Sequence, residues 1–383
     1  MEFELNEQQR LIREAAARFA AEHIVPVARR NDVEGRFPDE ILRKMAELGM
    51  LGGPVPEEYG GAGMDYVSYA LLTEEIGKAC SSVRTTLSVQ TSLVALSILA
   101  WGTEEQKRSY LPALCRGEIL GCFALTEPDA GSDAQAISTL ARRAEGGWVL
   151  DGRKTWISNG GVAQLALVLA QTDPEDRRRM AAFLVDAASP GFKSRDIHGK
   201  LGLRSSNTAQ LFVDGVFVPE EDLLGQVGDG FKVAMSALDN GRFSVAAGCV
   251  GIAQGCIEAS VAYARERRAF GKSIASFQLV QDMIARMVVD AEAARLLVFR
   301  AAVLKDRGVR NTRETSIAKY FASEAALRAA NDAIQIHGGN GYSNEYPVER
   351  YMRDARVATI YEGTSEIQKL IIGYCATGVR AFA

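Results

Sequence analysis

The feature that most limits what this 383-residue chain can fold into is a block of short apolar strands between two long helical blocks. Within residues 121–228 no helix-length pattern separates the strands, so we expect an antiparallel sheet, as a small barrel or sandwich. Residues 1–120 and 229–383 instead carry apolar positions at helical spacing. The sequence therefore predicts an α+β protein, mostly α, with an N-terminal helical domain, a middle β-domain and a C-terminal helical domain.

Two Asp-Gly pairs lie inside the predicted β-domain. Asp151-Gly152 separates the run 148–150 from the run 155–157, and Asp214-Gly215 precedes another short apolar run. Asp-Gly is typical of two-residue hairpin turns, so the first pair predicts a hairpin and the second predicts another turn. No Gly-x-Gly-x-x-Gly motif opens a strand–helix–strand unit, which argues against a cofactor site of the Rossmann type.

The overall composition favours an internal protein that binds neither nucleic acid nor membrane. The net charge is −4, which gives no support for binding to nucleic acid or to anionic lipid. The first residues, 1–5, are acidic and resemble neither a signal nor a transit peptide. The longest fully apolar stretches, such as 246–253, are too short to cross a bilayer. We therefore expect a cytoplasmic location without membrane insertion.

The cysteines and histidines indicate neither a redox motif nor a metal site. The six cysteines contain no Cys-x-x-Cys pair and mostly lie in apolar segments, as buried thiols do. The three histidines have no second histidine, cysteine or carboxylate at metal-ligand spacing. We therefore predict that the protein binds no metal.

The most informative residue for chemistry is Glu362, which lies between Tyr361 and Gly363. The glycine leaves room for a ligand close to the backbone, and the ring can cover a flat cofactor or exclude water. A carboxylate in such surroundings loses hydration, which raises its pKa and makes it a stronger general base. A glutamate in so short a motif is more often an ordinary loop residue, so other segments must decide its role.

Four further segments offer hydroxyls, rings, cations or open backbone amides that suit a cofactor site: 123–133, 156–160, 265–278 and 335–339. Each segment has a plain structural explanation when it is taken alone. Trp156 can be a core residue, Arg267 a charge on a helix surface, and Gly338-Gly339 the end of a helix. Their significance depends on their combination and on their order along the chain.

Together, in this order, these segments closely resemble the acyl-CoA dehydrogenase family, and the likeness runs from about residue 3 to residue 373. The general match is to the short-chain, or butyryl-CoA, type. The resemblance implies an FAD flavoprotein with an N-terminal helical domain, a middle β-domain and a C-terminal four-helix bundle. It also implies a homotetramer, built as a dimer of dimers.

The resemblance assigns binding roles residue by residue. The flavin-lining loop and strand match Phe123, Leu125, Thr126, Ser132, Trp156 and Ser158. Residues that bind FAD of a neighbouring subunit match Arg267, Phe270, Gln278, Gln335, Ile336, His337, Gly338 and Gly339. The segment that contacts the FAD phosphates matches Thr364, Ser365 and Glu366. The substrate side matches Ser132, Asp239, Arg242 and Gly363.

The resemblance also implies a mechanism. Glu362 is expected to remove the pro-R α-proton of an acyl-CoA thioester while the β-hydride passes to flavin N5, which gives a trans-2-enoyl thioester. Hydrogen bonds from the Glu362 amide and an FAD ribityl hydroxyl would stabilise the developing enolate. The flavin supplies the redox chemistry, and electrons leave to an electron-transfer flavoprotein.

One position excludes a subgroup of the family. Isovaleryl-type and long-chain members carry their base on a helix, at the position that matches Gly241 in this chain. Glycine has no side chain to act as a base. The resemblance therefore leaves Glu362 as the expected base.

The segment 81–90 departs from the butyryl-CoA type because it contains Arg84. In this segment the chain is more similar to glutaryl-CoA dehydrogenases, and to polyketide-pathway members that act on carrier-bound malonyl-type units. An arginine aligned with Arg84 holds the distal carboxylate in the glutaryl enzymes, and bidentate pairing suits arginine to that role. The alternative is that Arg84 pairs with a carboxylate of the protein or caps a helix. This alternative is slightly favoured, because the substrate role rests on one aligned residue.

Three functional hypotheses follow. The leading one is an FAD-dependent dehydrogenase of short- to medium-chain acyl-CoA. The second keeps the fold but takes a dicarboxylyl thioester such as glutaryl-CoA, or an acyl unit on a carrier protein. The third is a flavin-free helical scaffold, against which the intact Glu362, Trp156, Thr126 and Arg267 argue.

Overall fold

The computed structural model describes residues 4–173, 175–176 and 179–381. The order helical, then β, then helical is confirmed. In the first part α1 begins after Asn6, whose side chain accepts from the Gln9 backbone amide while the Gln9 side-chain oxygen accepts from the Asn6 backbone amide, a capping box. The first helices are α1 (Glu7–Phe19), α2 (Val25–Glu34), α3 (Asp39–Glu47), α4 (Tyr66–Ala79), α5 (Ser81–Ser88), α6 (Leu96–Trp101) and α7 (Glu104–Cys115).

A π-helical segment, Val89–Ala95, joins α5 to α6, so that residues 81–101 run as one helical rod. This rod and the following long helix, Gly230–Glu266, are long and apolar enough to pass a length-and-composition test for a membrane span. Both are mostly buried inside the protein, as core helices are. The sequence predicted that the longest fully apolar stretches are too short to cross a bilayer. That prediction applies only to uninterrupted apolar runs and not to these two helices.

The middle region forms one eight-stranded sheet, in the order β6-β7-β3-β2-β4-β5-β8 with β1 beside β4. Its strands are β1 (Gly121–Ala124), β2 (Leu140–Ala144), β3 (Gly147–Ser158), β4 (Leu165–Gln171), β5 (Met180–Asp186), β6 (Phe192–Asp196), β7 (Thr208–Pro219) and β8 (Leu223–Leu224). Most neighbours are antiparallel, as predicted, but β1 pairs with β4 in parallel, and β2 meets β4 in parallel at one residue. The prediction of an antiparallel sheet is confirmed for most neighbouring strands, and the parallel contacts of β4 with β1 and β2 are the exceptions.

The two Asp-Gly pairs form no hairpins, so both turn predictions were wrong. They lie opposite each other inside the continuous strands β3 and β7, where the register shifts by one residue. Gly215 takes φ 63°, and its amide donates to Asp151 Oδ1 at 2.9 Å. The left-handed glycine that suits Asp-Gly to a tight turn serves equally in a β-bulge.

The last region is helical: α8 (Gly230–Glu266), a two-stranded ribbon β9 (Arg268–Ala269) and β10 (Lys272–Ser273), α9 (Gln278–Asp306), α10 (Thr312–His337), α11 (Val348–Ala358) and α12 (Ser365–Thr377). Helix α10 packs against α8, α9, α11 and α12. Glycines bring α4 and α8 into backbone contact, because a Cβ on Gly77 would lie 2.9 Å from the Gly248 carbonyl oxygen. Glycines of α8 thus allow close packing against α4.

Three buried apolar clusters hold these layers together. One cluster joins the first helices to α8–α11, and a second joins the π-helical segment to the start of α8 and one face of the sheet. The third lies within the sheet region. Five of the six cysteines are buried, and only Cys375 is exposed. Among the described residues no group of three potential ligands is arranged to hold a metal ion.

Candidate active site

The loop between α11 and α12 carries Glu362 in a strained conformation. Glu362 has φ 52° and Gly363 has φ 88°. A non-glycine residue in the left-handed region costs free energy, and such residues concentrate at functional sites. Thr364 then caps α12, since its hydroxyl accepts from the Ile367 amide at 3.3 Å. The loop therefore turns sharply at Glu362 and is fixed again two residues later.

Three side chains donate to the carbonyl groups of this turn. Arg242 Nε donates to the Glu362 carbonyl at 3.2 Å. Gln368 Nε2 donates to the same oxygen at 3.2 Å and to the Gly363 carbonyl at 3.1 Å. Lys319 Nζ donates to the Gly363 carbonyl at 2.7 Å. Helices α8, α10 and α12 thus each supply a donor that holds the backbone in place.

The carboxylate of Glu362 faces the bare backbone of Gly241. A Cβ on Gly241 would lie 2.6 Å from the carboxyl carbon of Glu362 and would overlap its Oε2. The side chain as a whole is partly accessible, but Oε2 is buried and has no hydrogen-bond partner among the described residues. The position that excluded a helix-borne base is therefore the position that makes room for Glu362.

Burial raises the pKa of Glu362 to about 7, although the nearby cations Arg84, Lys319 and Arg242 oppose the rise. Loss of hydration disfavours the charged form, whereas the positive charges favour it. A carboxylate with a pKa near neutrality combines a sizeable ionised fraction with strong basicity. The environment predicted from the sequence for Glu362 is therefore present.

Arg84 lies inside α5 and is 2% exposed. One terminal nitrogen donates to Ser88 Oγ at 3.2 Å, the other donates to the Tyr361 hydroxyl, and Nε has no partner. No carboxylate in the described part of the chain lies within ion-pair distance of Arg84, and its side chain caps no helix. The expected internal role of Arg84 is thus not found, and a buried guanidinium is left without a counter-ion of its own.

The cofactor side of the predicted site lies on the sheet. Trp156 sits at a second irregularity of β3, with φ 60° and a side chain that is 61% exposed. The Thr155 amide donates to the Thr126 carbonyl at 2.9 Å, so the loop after β1 runs beside this tryptophan. Phe123 and Leu125 are buried in the second apolar cluster. An exposed ring beside this loop is suited to cover a flat cofactor.

The other predicted residues of the loop and strand differ in exposure. Ser132 is exposed, and Ser158 pairs with Thr208 at the end of β3.

On the substrate side Arg242 forms an ion pair with Asp239 at 2.8 Å, and Thr312 Oγ1 donates to the other oxygen of Asp239 at 2.6 Å. Asp239 is therefore joined to Arg242, which in turn bonds to the Glu362 turn.

The start of α12 carries the predicted phosphate contacts Thr364, Ser365 and Glu366. Ser365 Oγ donates to Glu324 at 2.6 Å, whereas Glu366 is exposed. A helix N-terminus offers free amide groups and the positive end of the helix dipole, which suits an anion such as a phosphate.

The residues predicted to reach a neighbouring subunit's cofactor form one surface of the chain. Phe270 lies in the β9–β10 turn with φ 51° and is 95% exposed, and other exposed members are Arg267, Gln278, Gln335, Gly338 and Gly339. His337 is buried and stacks on Tyr263 at 4.3 Å, which joins the two segments. Ile336 is buried beside it. No hydrogen bond or ring contact of the described residues joins this surface to Glu362.

A buried ion pair of Lys154 and Glu127, at 2.8 Å, fixes the cofactor-side loop, and sequence reasoning missed it. Glu127 also accepts from the amides and hydroxyls of Ser138 and Thr139, and Lys154 donates to the Leu125 carbonyl at 3.1 Å. Although burial opposes it, the ammonium and these donors hold the pKa of Glu127 at about 2, so the pair is ionised. The bulges of β3 break the alternation that would have revealed an inward-facing lysine.

Lys319 and Gln368, which hold the Glu362 turn, were also missed. Lys319 is 0% exposed and lies on the buried face of α10, between Thr315 and Ser323. A lysine on the apolar face of a helix is a signal that the sequence does contain, since charged residues are seldom fully buried without a role. Gln368 carries no comparable signal.

A strained turn whose carboxylate has a pKa near 7, together with an exposed tryptophan beside a loop of the sheet, suits an acid–base enzyme that works beside a bound cofactor. Models of three domains of the acyl-CoA dehydrogenase family match this chain: the N-terminal domain at residues 6–118, the middle domain at 122–216 and the C-terminal domain at 228–375. The chain belongs to the acyl-CoA dehydrogenase family.

Several known proteins match this chain over nearly its full length. The mitochondrial short-chain specific acyl-CoA dehydrogenase of Mus musculus is 45% identical over 96% of this chain and 90% of its own. Glutaryl-CoA dehydrogenase of Desulfococcus multivorans is 43% identical over 99% of both chains. The solved butyryl-CoA dehydrogenase from Megasphaera elsdenii superposes with a TM-score of 0.96, at 40% identity over 98% of this chain and 100% of that one. Both predicted substrate types therefore occur among the relatives.

The family is FAD-dependent, and one solved member is in complex with FADH2. The residues of this chain fit such a group. The exposed ring of Trp156 beside the Thr126 loop suits the flavin, and the capped start of α12 suits its phosphates. The predictions of an enzyme and of FAD as its cofactor are thus confirmed at the level of the family.

Proposed function

We propose that this protein removes the α-proton and β-hydride of a short- to medium-chain acyl-CoA thioester and yields the trans-2-enoyl-CoA. The observation that carries the proposal is the buried, unpartnered Oε2 of Glu362, held against Gly241 with a raised pKa. An α-proton of a thioester is weakly acidic, so its removal needs a basic carboxylate that has lost its hydration.

In this proposal different residues orient the catalytic turn and remove the proton. Arg242, Gln368 and Lys319 hold the carbonyl groups of the Glu362 turn, so the amide of Glu362 is left to donate to the thioester carbonyl. Trp156 and the Thr126 loop would hold the flavin of FAD, which would supply a hydride acceptor for the β-carbon. We propose that an electron-transfer flavoprotein then receives the electrons. The cytoplasmic location stays a prediction.

Arg84 favours a second candidate, a thioester whose acyl group carries a distal carboxylate or another polar group. Its guanidinium is buried, close enough to Glu362 to affect the pKa of that residue, and has no carboxylate partner. A buried charge without a counter-ion is costly, so a carboxylate on the substrate would supply the missing partner. The unpaired charge of Arg84 supports this candidate, which the sequence alone slightly disfavoured.

A substrate panel tests the proposed function. Anaerobic flavin reduction should be measured with butyryl-CoA, octanoyl-CoA, glutaryl-CoA and a carrier-protein-bound dicarboxylyl thioester. Reduction by any of these, with the enoyl product identified by mass spectrometry, supports the reaction class. A flavin-loaded protein that no thioester reduces would contradict it.

Arg84→Ala separates the two substrate candidates. If Arg84 binds a distal carboxylate, the variant should lose about 2–5 kcal/mol in kcat/KM for the dicarboxylyl thioester, the range for breaking a buried charge pair. Activity on butyryl-CoA should be unchanged or improved. Arg84→Lys is the matched control, since it keeps the charge but loses the bidentate geometry. Equal losses on both thioesters would reject the carboxylate role.

A further inference from the structure

The turn that carries Glu362 accepts a hydrogen bond from a charged side chain, although a neutral donor would hold the turn in the same geometry. Lys319 is fully buried in α10 and donates to the Gly363 carbonyl at 2.7 Å. Gln368 already donates to that oxygen at 3.1 Å, and it is neutral. Burying an ammonium costs far more than burying an amide. A second neutral donor would hold the carbonyl at lower cost, so the positive charge itself calls for an explanation.

The surroundings of Lys319 contain few groups able to balance its charge. It forms no ion pair within the described part of the chain. The ionisable groups that face it are Cys249 and Arg242 on α8, Glu324 on α10 and Glu362 on the loop, with Glu366 at the start of α12. Burial raises the pKa of Cys249 to about 11, so that thiol is neutral. Glu362 is therefore the acidic group of the catalytic turn whose ionised form the ammonium can favour.

We propose that Lys319 is a positioning residue for the base: it fixes the Gly363 carbonyl and favours the ionised form of the Glu362 carboxylate that faces Gly241. The bond maintains the left-handed backbone at Glu362 and Gly363, and the charge offsets part of the cost of burying the carboxylate. This inference rests on the proposed function, because it assigns Lys319 a role through the same base.

Burial lowers the pKa of Lys319 itself to about 8, so the side chain is mostly charged at pH 7. The two effects on the base then have separate signatures. Loss of the carbonyl bond should lower kcat, since the carboxylate moves from its place. Loss of the charge should raise the pKa of Glu362 and move the acidic limb of the rate profile upward. A residue that only stabilises the fold would lower the melting temperature and leave that limb unchanged.

Lys319→Met keeps the length of the side chain and removes both the bond and the charge. We expect kcat to fall at least about tenfold at pH 7 with KM little changed, and the acidic limb to rise by about one pH unit, which corresponds to a tenfold change in proton affinity. Lys369→Met is the matched control, because Lys369 is an exposed lysine on α12 that lies over the Tyr320 ring and, among the described residues, donates to no carbonyl of the Glu362 turn. It should leave both values at those of the native enzyme.

A readout independent of turnover separates this inference from the proposed function. The carboxylate band of Glu362, identified by difference infrared spectroscopy against Glu362→Gln, should titrate at higher pH in Lys319→Met even if no thioester is oxidised. Lys319→Gln serves if the methionine variant does not fold, and the same upward shift with a smaller loss of kcat is expected. Folded, flavin-loaded variants with a native titration and native kcat would overturn the proposal.

Discussion

At the scale of single residues, the pairing of Glu362 with Gly241 governs the site. The carboxyl group occupies the space that any side chain at position 241 would fill. The family resemblance implies that the two positions are alternative places for a base. Only the structure explains why glycine is needed at one when glutamate is at the other. The left-handed φ of Glu362 could not be predicted, since glutamate rarely adopts it.

Gly241→Ala should separate catalysis from stability. Alanine raises helix propensity by about 1 kcal/mol within α8, so the fold should tolerate the change even though a nearby leucine, Leu93, must shift. The new methyl group displaces the Glu362 carboxylate, and a displacement of about 1 Å can cost about 100-fold in rate. Gly373→Ala on α12 is the control, because a Cβ added there would meet no described atom within 4 Å outside its own helix turn. Native turnover in Gly241→Ala would contradict the geometry of the base.

The raised pKa of Glu362 makes a prediction about pH. The folded state binds the proton more tightly than the unfolded chain, whose glutamate has its ordinary pKa of 4.5. Stability from this group is therefore fully present below pH 4.5 and is lost as the pH rises to about 7, by at most about 3 kcal/mol. The difference in free energy of unfolding between Glu362→Gln and the native enzyme should grow over this window. A difference that is constant from pH 4.5 to 7.5 would reject the shift.

At the scale of elements, the sequence revealed helices better than strand connections. Apolar positions at helical spacing located the two helical regions, because that signal is local. The Asp-Gly pairs misled, since a left-handed glycine serves both a hairpin and a bulge, and pairing between distant strands decides which forms. The bulges matter to the site because the second one places Trp156 outward, beside the loop that Glu127 and Lys154 hold.

Lys154→Met tests the role of that buried ion pair. The variant leaves the Glu127 carboxylate buried without its cation, and breaking a buried pair in this way costs about 3–5 kcal/mol. We expect a lower melting temperature and a weaker retention of FAD, measured by flavin absorbance after gel filtration. Arg142→Met is the control, since its ion pair with Asp151 lies at the surface of the same sheet. Full FAD retention in Lys154→Met would show that the pair does not order the cofactor loop.

At the scale of the whole molecule, the order of three regions followed from composition and spacing, whereas the roles of individual residues came from the family resemblance. The domain limits at 120 and 228 stay predictions. The single chain leaves most of its second set of predicted cofactor residues exposed, with Phe270 at 95% exposure, whereas Ile336 and His337 are buried. Exposed aromatic and glycine-rich segments of this kind suggest contact with another subunit. The oligomeric state could not be derived from one chain.

Assembly and FAD binding are therefore predicted to be linked. We expect at least a dimer in solution, with a homotetramer as the family resemblance implies, and FAD should be released when the assembly is diluted. Light scattering combined with flavin fluorescence over a dilution series measures both together. Arg267→Ala should weaken FAD binding without altering the Glu362 turn. A monomer that retains FAD at full occupancy would contradict a site completed by a second subunit.

The most direct test of the central claim is single-turnover flavin reduction in Glu362→Gln. The variant keeps the size of the side chain and should bind FAD and acyl-CoA normally, but it has no base. We predict that mixing with the best thioester of the panel bleaches the flavin in the native enzyme and that the rate in the variant falls by several orders of magnitude. Flavin reduction at a near-native rate in Glu362→Gln would show that Glu362 is not the base.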